Sequence, residues 1–371
     1  MNTMSAGRIK VFRFFRWRGA CACLVLAGNG LGWAGGGSDQ RGPAVLRMDP
    51  TVRSRSLGGA FAGLADDAGA LYWNPAGLQQ TPRQEITLGR GLLYGDQTQD
   101  AGIYVRPVWR AGTRETWAVG ISHLAVSPFD VKEEGNDRGQ AHPSESVFSL
   151  GYARPWKRFS VGMVGKYIRQ ETYQETGSAY AIDAGIQTVT GRFTWGASLA
   201  NAGTAMSVGA STTELPLALR FGSSVQLIKS QARSWVGTAQ IDFPAGDRAI
   251  YRAGLEYGLS LGGEWRTALR AGYVSKGESR LAMGAGLDRG PLGINYVFEP
   301  AGDLGTSNRL ELCWRFGSPS APPGNKGAKA GLKKTEPAVS KRRDQEPKHA
   351  VANPNDRARA KSKPRSPSKQ P

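Results

Sequence analysis

The stretch Arg309-Leu-Glu-Leu-Cys-Trp-Arg-Phe316 alternates apolar and polar residues without a break. Its even-numbered positions hold Leu, Leu, Trp and Phe, and its odd-numbered positions hold Arg, Glu, Cys and Arg. Side chains on a β-strand point alternately to opposite faces. The stretch therefore predicts a strand with one apolar and one polar face.

Fourteen segments of about this length follow one another between Gln84 and Phe316, and most of them alternate in the same way. A chain of such strands can close on itself, with its apolar face toward lipid and its polar face inside. The sequence thus predicts an all-β fold, an antiparallel transmembrane β-barrel of about 14 strands over residues 84–316. We place the strands near residues 84–93, 100–109, 115–125, 145–154, 158–168, 179–188, 191–201, 216–226, 234–243, 248–260, 264–274, 279–288, 290–298 and 308–316.

The connections between these segments give an independent indication. Those after odd-numbered strands are often long or irregular, as at 126–144 and 202–215, whereas those after even-numbered strands are mostly tight. Bacterial barrels have short periplasmic turns and longer outer loops. The seven residues of Leu227–Arg233 are the exception. A soluble β-sandwich is the alternative, but it would not need a signal peptide, an even strand count and one-sided long loops together.

Composition narrows the class of protein. Gly accounts for 50 of 371 residues, above the usual share of about 7%, and indicates bends and close backbone approach. Mean hydropathy is −0.39, and no run of 18 apolar residues follows the N-terminus, so a helical membrane protein is not expected. The net charge of +18 is concentrated at the two ends, and residues 35–316 carry only +3. The high pI therefore does not indicate a nucleic-acid-binding fold.

Residues 1–34 resemble a secretory signal peptide. A basic region ending at Arg18 precedes the apolar stretch Ala20–Ala27, and Gly32-Trp33-Ala34 supplies small residues at a cleavage-type spacing. A retained membrane anchor is the alternative, but the apolar run is short for one. Removal of this segment would leave Cys313 as the single thiol, which excludes an internal disulfide.

Residues 35–83 form a separate unit before the first strand. Asp66 or Asp67 is expected to cap a short helix that runs to about Trp73. The helix should stop at Asn74 because Pro75 disfavours helical geometry in the residue before it. Gly77 would then supply a permissive backbone for the following turn.

The segment 317–371 is rich in Pro, Lys, Arg, Ala and Ser, with 14 Lys or Arg against 4 Asp or Glu. Such a composition predicts disorder, because too little apolar surface is available for burial. We expect a solvated periplasmic tail and no nucleic-acid partner, although Lys341-Arg-Arg343 superficially matches a nucleic-acid patch. Weak attraction of the tail to anionic cell-wall polymers or lipid head groups is a further hypothesis.

No catalytic constellation is present in the sequence pattern. The three histidines, His123, His142 and His349, have no metal-ligand spacing. The stretch Gly284–Gly290 lacks the helix pattern and the Gly-Lys-Ser/Thr ending of a phosphate loop. A calcium site in the acidic loop 130–137 is a minor alternative to a solvated surface. We therefore predict no enzyme activity, no catalytic or metal-binding residues and no cofactor.

Two motifs carry a family resemblance. Leu57-Gly-Gly-Ala-Phe-Ala-Gly-Leu-Ala-Asp-Asp-Ala68, followed by Leu71-Tyr-Trp-Asn-Pro-Ala-Gly-Leu78, resembles the N-terminal signature of the PorV/PorQ (UPF0164) group, which is related to the FadL outer-membrane transporters. Ala268–Tyr273, Leu292–Tyr296 and Gly302–Thr306 are also similar to this group. The resemblance covers about residues 45–317.

The resemblance implies a 14-stranded barrel with residues 35–83 folded into the lumen as a plug. The implied structural positions of the plug motif are Gly58, Gly59, Asp66, Asp67, Asn74, Pro75 and Gly77. Phe316 is the candidate for the terminal aromatic residue that the outer-membrane barrel assembly machinery reads. Here 55 residues follow it, so that signal would be internal.

Two functions follow from the resemblance as expectations. The first is passage of small hydrophobic solutes through a plugged barrel in the outer membrane. The alternative is a partner role in a type IX-like secretion system, with the long outer loops receiving cargo or contacting secretion subunits. In both cases lipid of the outer membrane surrounds the barrel, and the plug and the tail lie on the periplasmic side.

Overall fold

Strand pairing in the computed structural model closes on itself. The structure describes residues 42–133, 136–276 and 280–317, so the predicted signal peptide and the predicted disordered tail lie outside the described residues. Fourteen antiparallel strands form a closed barrel, which confirms the predicted fold. The first barrel strand begins at Gln84 and pairs with the last, which ends at Phe316.

The described part of the chain has eighteen strands, of which β4–β5 and β10–β11 form two separate hairpins in the long connections. In order they are β1 (Gln84–Leu93), β2 (Gln97–Arg110), β3 (Thr113–Val126), β4 (Phe129–Glu133), β5 (Asn136–Ala141), β6 (Ser144–Trp156), β7 (Phe159–Glu171), β8 (Thr176–Thr190), β9 (Phe193–Gly203), β10 (Met206–Val208), β11 (Ser211–Thr213), β12 (Ala218–Lys229), β13 (Arg233–Pro244), β14 (Ile250–Gly262), β15 (Trp265–Val274), β16 (Leu281–Arg289), β17 (Leu292–Pro300) and β18 (Thr306–Phe316).

The two faces of β18 separate as its alternation predicts. Leu310, Leu312 and Trp314 are each about half exposed on the outside, whereas Arg309 and Glu311 are buried on the luminal side. The other strands repeat this pattern, so large apolar side chains cover the outer wall. Such a surface suits contact with hydrocarbon. Among the described residues, no helix is both long and apolar enough to cross a membrane.

The outer face gives a first prediction. Leu312 lies beside Leu88 and Ile294 near the middle of the wall. Replacing Leu312 with Arg places a charge in hydrocarbon and is expected to cost about 2–4 kcal/mol of unfolding free energy. Leu292→Arg, at the end of a strand, should cost only about 0–1 kcal/mol. Denaturant unfolding in lipid vesicles measures both values, and equal losses would show that the face does not contact lipid.

The two ends of the barrel differ in their connections. At the short-turn end, turns such as Ala111-Gly112 and Ser230–Ala232 contain two or three residues. At the long-connection end, the longer connections contain the hairpins β4–β5 and β10–β11, which are separate from the barrel sheet. The predicted seven-residue exception is wrong, because β12 continues to Lys229 through a register shift after Gln226.

Residues 42–83, the described part of the predicted plug, lie inside the barrel before β1. They contain a 3-10 turn (Ala44–Leu46), helix α1 (Val52–Ser56), helix α2 (Ala70–Trp73) and a second 3-10 turn (Pro75–Gln80). A third 3-10 turn, Gly302–Leu304, lies in the last long connection.

The plug runs the height of the lumen. Its first described residue, Gly42, packs against the connection that includes Leu215, at the long-connection end. At its finish, the carbonyl of Thr81 accepts a hydrogen bond from Arg114, beside a short turn. The plug therefore enters at one end of the barrel and joins β1 at the other.

Wall glycines allow the plug backbone to lie directly on the strands. A Cβ at Gly196 would overlap the carbonyl oxygen of Ala62, and a Cβ at Gly272 would overlap the backbone nitrogen of Gly58. Neither wall glycine has a positive φ, so close approach explains them better than backbone freedom does. This accounts for part of the high glycine content.

Candidate functional site

Polar side chains of the wall hold the plug from one side. Gln240 accepts hydrogen bonds from the backbone nitrogens of Phe61 and Ala62 through Oε1, at 2.9 and 2.7 Å. Gln187 donates to the carbonyl of Gly63 at 3.1 Å, and Ser198 donates to the carbonyl of Trp73 at 2.7 Å. Backbone groups of the plug that have no helix or sheet partner are thereby satisfied without water.

A buried ion-pair cluster joins the plug to the wall at α1. The guanidinium of Arg53 contacts Asp67 of the plug and Glu256 of β14, each at 2.8 Å, and also Asp66 at 2.5 Å. Arg270 of β15 contacts the same Glu256 oxygen at 2.7 Å. Burial lowers the pKa of Arg53, but Asp66, Glu256 and Asp67 outweigh it and hold that pKa well above its usual value. Arg53 is therefore a permanent cation.

The two aspartates of the motif differ in role from the predicted helix cap. Helix α2 begins only at Ala70, after Gly69 as its N-cap residue. Asp67 accepts a hydrogen bond from the backbone nitrogen of Gly69 at 2.8 Å, which is an Asx-type turn. Both carboxylates are committed mainly to Arg53, a partner that local sequence does not reveal.

Asn74 and Pro75 end α2 in the predicted way. Asn74 has extended backbone angles and is fully buried. Its side-chain nitrogen donates to the carbonyls of Ala62 and Ile186, and its oxygen accepts from Ala76. One amide thus links two parts of the plug to the wall.

The glycines of the motif divide into two kinds. Gly58 and Gly59 have φ of +65° and +74°, a conformation that side chains disfavour. Gly77 lies in a 3-10 turn without a positive φ, and a Cβ there would overlap the carbonyl of Ala65. The predicted conformational role of Gly77 is therefore wrong, and close packing within the plug explains this glycine.

The opposite side of the plug is apolar. Phe61, Leu71 and Leu78 are fully buried and pack against wall residues of β2, β3, β6 and β7. The wall contributes Ile103, Val105, Ala118, Ala153 and Val164 to this cluster. On this side the plug is therefore held mainly by apolar packing, to which Gln79 adds hydrogen bonds to the carbonyls of Arg114 and Ala153.

A cavity of about 400 Å³ remains above the plug. Leu93, Pro244 and Val274 line it where their strands reach the long-connection end, and residues 44–50 of the plug form another side. Leu46, Met48, Val147 and further apolar side chains give it an apolar upper part.

The floor of this cavity is an aromatic ring between two cations. Trp73 lies with the guanidinium carbons of Arg220 and Arg252 at 4.7 and 5.3 Å from its ring centroid. Arg252 also pairs with Asp242 at 2.7 Å. Within the described ranges Arg220 makes no ion pair, and it donates to the plug carbonyl of Tyr72 at 2.9 Å. The floor can therefore receive an apolar molecule that carries a polar or anionic end.

A second buried ion pair lies in the wall beside the cavity. Lys166 of β7 and Asp183 of β8 approach to 2.6 Å, with 4% and 1% of their side chains exposed. Asn201, at a bulge in β9 with φ of +62°, accepts from Lys166 and donates its backbone N–H to Asp183. The opposite charges of Lys166 and Asp183 therefore compensate each other in a buried position of the wall.

The outer surface has an apolar depression at the same height. Gly165 pairs with the outward-facing Leu150 and Ile182, so its missing side chain leaves a notch in the wall. Phe148, Tyr167 and Tyr180 complete the lining, and Lys166 borders both this depression and the luminal cavity.

The remaining predicted positions are placed as follows. Phe316 ends β18 beside Gln84, and its ring stacks on Trp314 with centroids 4.5 Å apart. Cys313 is buried on the luminal side. In the part of the chain that the structure describes, no group of three or more His, Cys, Asp or Glu residues could hold a metal ion.

Comparison with solved structures shows barrels of the same fold. The Ralstonia pickettii toluene transporter TbuX is 13% identical and matches with a TM-score of 0.53, over 73% of this chain and 98% of its own. The P. putida toluene transporter TodX is 10% identical, with a TM-score of 0.52 over 71% and 97% of the two chains. At these identities the likeness concerns the fold, a transmembrane barrel.

No protein-family model matches the chain, and no curated protein sequence matches it. The PorV/PorQ resemblance therefore stays a prediction.

Proposed function

We propose that this barrel passes small hydrophobic solutes across the outer membrane in the manner of FadL-like channels. The cavity above the plug carries the proposal, because it is reached from the long-connection end and its lining combines apolar side chains, such as Leu46, Met48 and Val147, with charged ones. Small-molecule sites combine these features. The names of TbuX and TodX as toluene transporters point to the same class of solute.

The route out of the cavity is proposed to run sideways as well as past the plug. The bulge at Asn201 interrupts regular pairing between β8 and β9, and it lies next to the Lys166–Asp183 pair. Because β7 stays fully paired with β6 and β8, a solute would leave through the wall only where β8 and β9 separate at this bulge. Plug rearrangement then need not open the whole lumen.

The proposal includes orientation. The short-turn end is proposed to lie in the periplasm, as in other bacterial barrels, together with the tail that follows β18. The plug is enclosed in the lumen between the two ends. A partner role in type IX-like secretion stays a prediction, with the β4–β5 and β10–β11 hairpins as its contact surfaces.

Uptake of toluene by cells that carry this barrel as their only hydrophobic channel tests the proposal. Ala218 lines the cavity, and its neighbour Leu219 faces outward. Ala218→Trp fills the cavity and should reduce uptake to the level of cells without the protein. Leu219→Trp adds the same ring outside and should leave uptake unchanged.

If native cells take up no more toluene than cells without the protein, and the purified barrel binds no lipophilic compound, this function is wrong. Equal loss in both tryptophan variants would instead indicate damage to folding, which heat-dependent migration of the barrel on gels can show.

A further inference from the structure

The short-turn end of the barrel is strongly basic. Each of its six turns has an exposed Lys or Arg within two residues, namely Arg110, Lys157, Arg192, Arg233, Arg266 and Arg289. Over the same described positions the acidic residues are only Glu264 and Asp288, and Asp288 is paired with Arg315 at 2.8 Å. A ring of positive charge therefore surrounds this rim.

Some of these cations are held against aromatic rings. The ammonium of Lys157 lies 5.6 Å from the centroid of Trp156, and the guanidinium carbon of Arg158 lies 5.0 Å from that of Phe159. Arg289 lies over Trp265 at 5.1 Å. Cation–π contacts of this kind fix the height and direction of a charged group.

The aromatic rings mark the level of the membrane interface. All seven tryptophans of the barrel strands lie within five residues of the short-turn end. Trp156, Trp265 and Trp314 are exposed on the outer wall. Tryptophan prefers the depth of lipid head groups, so the adjoining cations lie at the depth of lipid phosphates.

The long-connection end has no such bias. There acidic residues, such as Asp96, Asp130, Glu175 and Asp303, occur together with basic ones, such as Lys132 and Arg248, and no barrel tryptophan lies near it. The basic ring is thus a feature of one end and does not reflect the overall charge of the chain.

We infer that the short-turn rim is a binding surface for anionic phospholipid head groups, of the phosphatidylglycerol type, in the leaflet that this end reaches. Arg and Lys donate to the phosphate oxygens, and the neighbouring Trp and Phe rings pack on the glycerol and upper acyl region. The orientation proposed above places this rim in the phospholipid leaflet of the outer membrane. The inference requires a barrel that spans a bilayer and is independent of any solute.

Quenching of tryptophan fluorescence by brominated lipids tests the inference on the full chain in phosphatidylcholine vesicles. The outward-facing barrel tryptophans, among them Trp156, Trp265 and Trp314, report on lipid at the short-turn rim. Brominated phosphatidylglycerol should associate roughly five-fold more strongly than brominated phosphatidylcholine, and the preference should fall as salt is added. Absence of a preference, or a preference insensitive to salt, would overturn the inference.

A matched pair of variants separates the rim from the rest of the chain. Lys157→Gln, Arg158→Gln, Arg192→Gln and Arg289→Gln together should abolish the preference. Arg90→Gln, Arg169→Gln, Arg248→Gln and Arg280→Gln remove the same charge at the long-connection end and should leave it intact. The C-terminal basic segment is present in both variants. If the rim variant keeps the preference, the lipid binds elsewhere on the protein. If both variants lose it equally, the preference reflects overall charge. Either result overturns the inference.

Discussion

Replacing Arg53 with Met should loosen the plug and convert a closed barrel into one that conducts ions. Three carboxylates, Asp66, Asp67 and Glu256, meet at this guanidinium, and the last belongs to the wall. Removing the cation from a largely buried cluster leaves uncompensated negative charge, at a cost of about 3–5 kcal/mol. This cost destabilises the state in which the plug is bound to the wall. When the plug leaves the wall, Glu256 separates from Asp66 and Asp67, and the repulsion is relieved.

Single-channel recording in planar bilayers measures this effect. The native protein should be mostly closed, and the Arg53→Met variant should show frequent openings. Arg90→Met is the control, because Arg90 makes a long, exposed pair with Asp100 at 3.7 Å, and such pairs contribute about 0–1 kcal/mol. If the two variants conduct alike, the cluster at α1 does not hold the plug.

Replacing Asp183 with Asn should destabilise the wall itself. The amide oxygen of Asn can still accept the hydrogen bond from the backbone of Asn201, so the change removes mainly the charge that compensates Lys166. A buried lysine without a partner is expected to cost about 3–5 kcal/mol of unfolding free energy. Urea unfolding in lipid vesicles, followed by tryptophan fluorescence, gives the value.

The double variant Lys166→Met with Asp183→Leu supplies the control for that prediction. It removes both charges and keeps similar volumes, so most of the lost stability should return. If the double variant is as unstable as Asp183→Asn, packing around the pair is responsible and the charge is not. Toluene uptake by cells that carry the double variant also shows whether the ion pair is needed for transport.

The barrel could be predicted from the sequence because its signal is local. Each strand carries its own alternation, as β18 does from Arg309 to Phe316, and turn lengths distinguish the two ends. The prediction failed at Leu227 because a register shift exposes both Leu227 and Ile228 and interrupts the alternation. A bulge is set by pairing across strands, and one strand read alone does not show it.

The site could be predicted less well because its contacts are distant in sequence. Arg53 and Glu256 are 203 positions apart, and nothing in either neighbourhood identifies the other. The same holds for the two arginines that enclose Trp73. The alternation of β13 does predict that polar residues such as Gln240 and Asp242 face the lumen. Their roles became apparent only when the plug was located inside the wall.

The path of the plug through the lumen has a consequence for the order of assembly. Gly42 lies at one mouth and Thr81 at the other, while the seam between Gln84 and Phe316 makes the cylinder continuous. If the barrel closed first, about forty residues would have to pass through it lengthwise, without the wall contacts that order them. We expect the strands instead to wrap around a segment already in place, so that zipping of the first strand to the last is the step that traps it.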